Sequence, residues 1–335
     1  SDFVYQKGST GFYSFKTTAG SELRTEIKKQ REIKGNTVNY GKVLAMVSGM
    51  PYVIPRKYNS INKITRYFSN QYMSVDDFLN IEKADAFLAD SLGDGKVITL
   101  FSFTDIIQNK VKKHVQKLAN PRLVVVCPKQ GLRIQKQLID YEIITELLNN
   151  QTFTSSNEIL KNELPLMIDD LGIELEASLS SIYKEEPSTQ VLYYSFGSVT
   201  NAKVGNEEGA VNECCRALFT KTPIINNELV NRTIISTSQT RKARINIIKV
   251  ILSHEDDEEF FKGANQEATV YRSLFTVTHI RNGNPESNLK EILEIINSFI
   301  DGCSDKKASL SILISKLTSE PYGLRMGVIP FYLAY

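Results

Sequence analysis

Two clusters of residues in this sequence have the types and spacing to do chemistry. The first is a run of cations. Lys110, Lys112, Lys113, Lys117, Arg122, Lys129, Arg133 and Lys136 fall between residues 106 and 137, a stretch without a single Asp or Glu. Lys110, Lys113 and Lys117 recur at helical spacing, so they share one outward face if Ile107, Val111, Val115 and Leu118 point inward. A row of this kind meets phosphates, each contact releasing a counterion. With Lys129 and Arg133 it makes the candidate nucleic-acid-binding set. The alternative is a partner inside the fold. Residues 157–187 carry Glu158, Glu163, Asp169, Asp170, Glu174, Glu176, Glu185 and Glu186 against Lys161 and Lys184, and the two stretches could face each other.

The second cluster lies at Thr222–Leu252. An apolar stretch ends in Asn226-Asn227-Glu228, and Arg241 and Arg244 open a helix. A polar residue after a strand and an arginine at a lid-helix start is the arrangement by which AAA-type ATPases sense a γ-phosphate. Asn227, Arg241 and Arg244 are therefore candidate nucleotide-sensing residues, with solvated surface arginines as the competing reading.

Other motifs fail on their own chemistry. Gly93-Asp94-Gly95-Lys96 has the Gly-Lys pair of a phosphate loop, but Asp90 replaces the earlier glycine and Val97 the Mg²⁺-binding hydroxyl. Leu166-Met167-Ile168-Asp169-Asp170 ends in paired acids, yet its surroundings keep helical spacing and Pro165 is awkward in a central strand. His254 to Glu259 lacks the alternating ligands and glycine of a calcium loop. Cys127, Cys214, Cys215 and Cys303 have no metal-site or disulfide spacing, which points to a cytoplasmic protein. No catalytic residue, metal ligand or cofactor site is assigned within the chain, and whether it belongs to an enzyme stays open.

The elements that must hold these residues follow from periodicity. Val97–Phe103 and Leu123–Cys127 are apolar strands on either side of a helix from about Thr104 to Leu118. This order predicts a small parallel sheet covered on both faces. Helices over Ile134–Leu148 and about 157–184 form a helical arm, its leucines near heptad spacing, interrupted at Pro165 and Gly172. Val191–Phe196 and Thr222–Ile225 read as further strands. Ile61, Ile64, Tyr67 and Phe68 recur at helical spacing, and Ser74 caps a short helix through Asp77. From residue 236 helices dominate, ending in Leu310–Leu317, a turn at Glu320–Gly323 and an apolar helix from Leu324, the outline of a winged-helix-like unit. The expected architecture is mixed α/β in three parts. Residues 1–95 are mostly helical, 96–235 hold the α/β core with its arm at about 134–184, and 236–335 form the helical domain.

Composition excludes several classes. With 40 Lys+Arg against 38 Asp+Glu the chain is no general polycation. No apolar run approaches the roughly 18–20 residues that span a bilayer. The absence of an initial Met, and an ending inside an apolar stretch, point to a piece of a longer protein.

Three stretches carry a family resemblance: Thr222–Arg232, Glu320–Pro330, and Tyr58-Asn59 with Arg66-Tyr67-Phe68. The first two resemble the C-terminal regions of large bacterial P-loop ATPases of phage-defence systems of the BREX-like kind, and the third is similar to a more upstream part of the same proteins. The resemblance implies a cytoplasmic protein that works with other subunits of a defence complex on foreign DNA. ATP and Mg²⁺ would be handled by a phosphate loop upstream of this chain. The expected role is a non-catalytic portion for assembly and for nucleic-acid or partner contact, homo-oligomers included. The alternatives are a contribution of sensor arginines to an ATP site, and a freestanding DNA-binding regulator.

Overall fold

The structure, a computed structural model, describes residues 4–7, 12–15, 18–34, 37–89, 93–155, 158–183, 192–195, 198–200, 207–231, 238–253, 261–304 and 306–335. His254 to Glu259 and Arg232 lie outside the described residues. Contacts group the chain into two compact units drawn from separated stretches, where the sequence suggests three consecutive domains. Unit 1 comprises Ser1–Val53, Ser69–Ser91 and Gly95–Ala210, and unit 2 comprises Ile54–Phe68, Leu92–Asp94 and Val211–Tyr335.

Unit 1 is mixed α/β. β1 (Val4–Lys7) and β2 (Phe12–Phe15) pair antiparallel in a stretch that the sequence places in a mostly helical part. The main sheet follows the order β3 (Tyr52–Val53), β4 (Phe68–Ser74), β5 (Gly95–Phe101), β6 (Leu123–Cys127), β7 (Leu192–Ser195) and β8 (Ser198–Thr200). The expected parallel pair is present, with Val97 of β5 opposite Val124 of β6. The sheet as a whole is not parallel: β7 runs antiparallel to β6, and β8 antiparallel to β7. Connectivity explains the difference. One helix, Gln108–Leu118, carries the chain from β5 back to the start of β6. Two long helices lie between β6 and β7 and return the chain to the end it left. The connection from β7 to β8 is too short to do anything but reverse direction.

Those two long helices, Gln135–Asn149 and Glu158–Tyr183, are the expected arm. They pack on each other and on the Thr18–Lys34 helix through Leu23, Ile27, Ile143, Ile144, Leu160 and Leu164. Pro165 lies inside a continuous helix rather than interrupting it, and Leu166–Asp170 is helical throughout. The arm's ion pairs go to its neighbour: Arg31 Nη2 donates to Asp140 Oδ2 at 2.6 Å, and Lys34 pairs with Glu146.

Unit 2 is helical, built on a core that includes Ile247, Tyr271, Leu274, Phe275, Ile292 and Phe331. Three expectations are corrected here. The helix near residue 61 is Arg56–Asn62; Lys63 closes it in the left-handed region, and Phe68 already opens β4. Thr222–Ile225 joins no strand ladder, because Thr222 Oγ1 donates to the Tyr322 carbonyl at 2.6 Å and the Ile224 N–H to Glu286. The last helix is only Ile329–Ala334. Pro330 lacks an N–H and fits the first turn of a helix, so the segment before it stays in turns. Leu324–Val328 therefore supplies none of the apolar helix expected from Leu324.

Gly323 sits at φ +57°, and a Cβ there would strike the Phe219 ring and the Arg66 guanidinium. Gly323→Val is expected to lower the stability of unit 2 by at least about 1 kcal/mol in thermal denaturation. An unchanged melting curve would show that this turn accepts a side chain.

Candidate nucleic-acid interface

The helix Gln108–Leu118 contains four lysines and no acid. It lies on the sheet because Val111 and Val115 enter the core formed by Phe78, Ile98, Leu100, Leu123 and Val125. That anchoring turns Lys110, Lys113 and Lys117 to solvent, as their spacing predicts. A rise of about 1.5 Å per residue spreads the row over roughly 10 Å. Two details differ from the expected helix. It begins at Gln108 rather than near Thr104, and Ile107 is 61% exposed while Ile106 takes the core position. The loop before it is held elsewhere: Asp105 Oδ1 accepts from the Gly131 N–H at 3.1 Å, and the Ile106 N–H donates to the Lys129 carbonyl at 2.7 Å.

These bonds join the two loops at the carboxyl ends of β5 and β6. Gly131 makes the junction tight, since a Cβ there would lie 2.5 Å from the Thr104 carbonyl. Lys129 and Arg133 project from this junction and are exposed. Arg133 Nη2 lies 3.2 Å from Asp105 Oδ1, a solvent-facing pair that contributes little to stability. Among the described residues, Lys110, Lys113, Lys117 and Lys129 make no ion pair. Of the acids of 157–187, Glu174 accepts from Gln137 at 3.1 Å.

His114 sits between the lysines. Burial, then the charge of Lys117, holds its pKa below 6.5, so the row takes its charge from lysines and not from histidine at neutral pH. Burial also pushes the Cys127 thiol up to about 12, which leaves it without nucleophilic character. Lys96, the lysine of the Gly-Lys pair, is within β5 and donates to the Phe87 carbonyl at 2.9 Å. It belongs to no phosphate loop.

The nucleotide-sensing candidates lie in unit 2. Asn227 is buried, and its Oδ1 accepts from the Leu229 N–H at 3.0 Å, a local turn bond. Arg241 is exposed on the Ser238–Ser253 helix. Arg244, one turn along, lines an apolar cleft of about 10 Å³ with Leu229, Val270 and Phe331. That volume holds a water rather than a nucleotide.

Sequence reasoning missed a buried charge cluster in the same unit. Arg66 Nη1 lies 2.7 Å from Asp94 Oδ1, and Arg325 Nη2 lies 2.8 Å from Asp94 Oδ2. Arg66 Nη2 also donates to Thr222 Oγ1 at 3.1 Å and to the Gly323 carbonyl at 2.8 Å, and the guanidinium covers the Phe219 ring at 3.5 Å. Asn59 clamps Arg66 by two backbone bonds, at 2.9 and 3.1 Å. The three stretches that carry the family resemblance thus meet around one carboxylate.

No protein-family model, curated protein or solved structure matches this chain. Among the described residues, no helix is long and apolar enough to cross a membrane, and no group of three His, Cys, Asp or Glu is arranged to hold a metal ion.

Proposed function

We propose that this chain is a non-catalytic nucleic-acid- and partner-contact portion of a bacterial phage-defence ATPase, with unit 1 supplying the phosphate-contacting face. The observation that carries this reading is the row Lys110, Lys113 and Lys117, exposed, making no ion pair among the described residues and set on a helix without acids. A solvated row that served only solubility would gain from interspersed carboxylates, which this helix lacks. The resemblance-bearing stretches share one buried cluster in unit 2.

The contact is electrostatic and independent of sequence. Duplex DNA is expected to bind weakly near physiological salt and with a steep salt dependence, each phosphate contact adding about 0.9 to the slope of log K against log salt. Fluorescence anisotropy over a salt series measures it. No binding at low salt would overturn the proposal.

A further inference from the structure

Two open clefts meet at Phe103, both within unit 1, one at the carboxyl ends of β4 and β5 and the other beside residues 132–139 after β6. One, of about 670 Å³, opens between the start of the Tyr40–Ser48 helix, the end of β4 and Phe103. Its polar rim includes the acceptors Asp76 and Gln71, Asn39, whose Oδ1 also accepts from the Lys42 N–H at 3.0 Å, and Ser74, whose hydroxyl donates to Asp77 at 2.6 Å. The other, of about 550 Å³, has Arg133 and Lys136 with Gln135 and Gln137, and no carboxylate lines it. Both volumes fall in the range of about 300–1,000 Å³ usual for ligand sites. In α/β sheets the crevice beyond the carboxyl ends of the strands is where ligands bind.

Between the cavities stands an aromatic pair. Tyr40 and Phe103 meet edge to face with centroids 4.8 Å apart, and each ring is half-exposed. Gln135 Nε2 donates to the Tyr40 hydroxyl at 3.1 Å and ties the pair to the arm. The site therefore has a cationic compartment, in which Arg133 also meets the exposed Asp105 and Lys136 is exposed, then an aromatic surface, then a compartment rich in acceptors.

We infer that this edge binds an unpaired nucleic-acid strand, with phosphates at Arg133 and Lys136, a base stacked on Phe103, and that base's exocyclic amino group donating to Asp76 or Asn39. The inference rests on the phosphate-contact role proposed above and names the strand it serves. A duplex keeps its bases stacked on one another, so it can use the lysine row but not the aromatic pair. Cytosine and adenine carry an amino donor that an Asp or Asn oxygen accepts, whereas thymine offers none at that position. Base stacking on an aromatic ring contributes about 1–3 kcal/mol, or roughly five- to 150-fold in affinity.

The test is anisotropy on the full chain with short labelled oligo-dC, oligo-dA and oligo-dT strands and a mixed-sequence duplex. Oligo-dC and oligo-dA are expected to bind at least about fivefold tighter than oligo-dT, the effect of the amino hydrogen bond. Phe103→Leu should remove most of the single-strand affinity and leave the duplex affinity unchanged, while Phe103→Tyr should retain both. Because Phe103 is half-buried, the exposed pair Arg133→Gln and Lys136→Gln serves as a second probe that leaves the core alone; it should weaken all three strands alike. Equal binding of the three strands overturns the inference, as does single-strand affinity indifferent to both sets of variants. Duplex binding without strand binding overturns the inference alone, and a chain that binds neither overturns the phosphate-contact reading with it.

Discussion

Asp94→Ala is expected to destabilise unit 2 by about 3–5 kcal/mol, enough to unfold a marginal domain. Asp94 is 5% exposed and Arg66 fully buried, and Arg325 closes the other side of the carboxylate. Removing the carboxylate leaves two guanidiniums facing each other out of water with no counter-charge. Arg66 would keep its bonds to Thr222 and Gly323, but those are neutral acceptors and cannot offset a buried cation. The chain has no Trp, so far-UV circular dichroism in a urea titration is the suitable measurement. Asp94→Asn keeps the shape and one acceptor, and should cost less than Asp94→Ala. Equal stability of Asp94→Ala and the parent would show that the cluster does not hold the unit together.

The same cluster sets a direction in pH. Burial opposes ionisation of Asp94, but the charges of Arg325 and Arg66 and their hydrogen bonds outweigh it and hold the carboxyl below its ordinary 3.8. A carboxylate whose pKa is lowered by folding contributes stability that is fully present above the unfolded value. That stability is lost as pH falls through the folded value. The parent's midpoint should therefore hold down to about pH 5 and fall below pH 4, with Asp94→Asn showing a smaller fall.

This cluster was illegible in the sequence for a physical reason. Arg66 and Arg325 stand 28 and 231 positions from Asp94, and no spacing rule links them. Gly93-Asp94-Gly95 reads as a turn, which describes the local backbone and says nothing about a buried partner. Strand direction was hidden in the same way. The apolar runs at Val97–Phe103 and Leu123–Cys127 announce buried strands, but whether β7 runs parallel depends on two helices folding back on each other. At the C-terminus the sequence misled because apolar residues on both sides of Pro330 suggested one helix, and the proline's missing N–H decided its start. Periodicity placed Val111 and Val115 rightly and Ile107 wrongly. With Val111 and Val115 facing inward, helical spacing fixes where Lys110, Lys113 and Lys117 must point.

Changing Lys110, Lys113 and Lys117 together to Gln is expected to reduce the salt slope of duplex binding by up to roughly three units. The fold should survive, because the three side chains are exposed and make no ion pair among the described residues, and such substitutions shift stability by about 0.5 kcal/mol or less each. Gln keeps the aliphatic stem and a polar end, so packing of the helix on Phe78, Leu100 and Val125 is untouched. Charge is then the one property that changes. If the lysines instead stabilise the protein against the acidic arm, the triple variant should melt lower and bind DNA with the parent's slope. Thermal denaturation and the salt series on the same samples separate the two outcomes. DNA affinity that ignores both salt and these lysines would remove phosphate contact from the account. An intact fold with a shallower slope would place the DNA backbone along this helix, about one contact for every turn that carries a lysine.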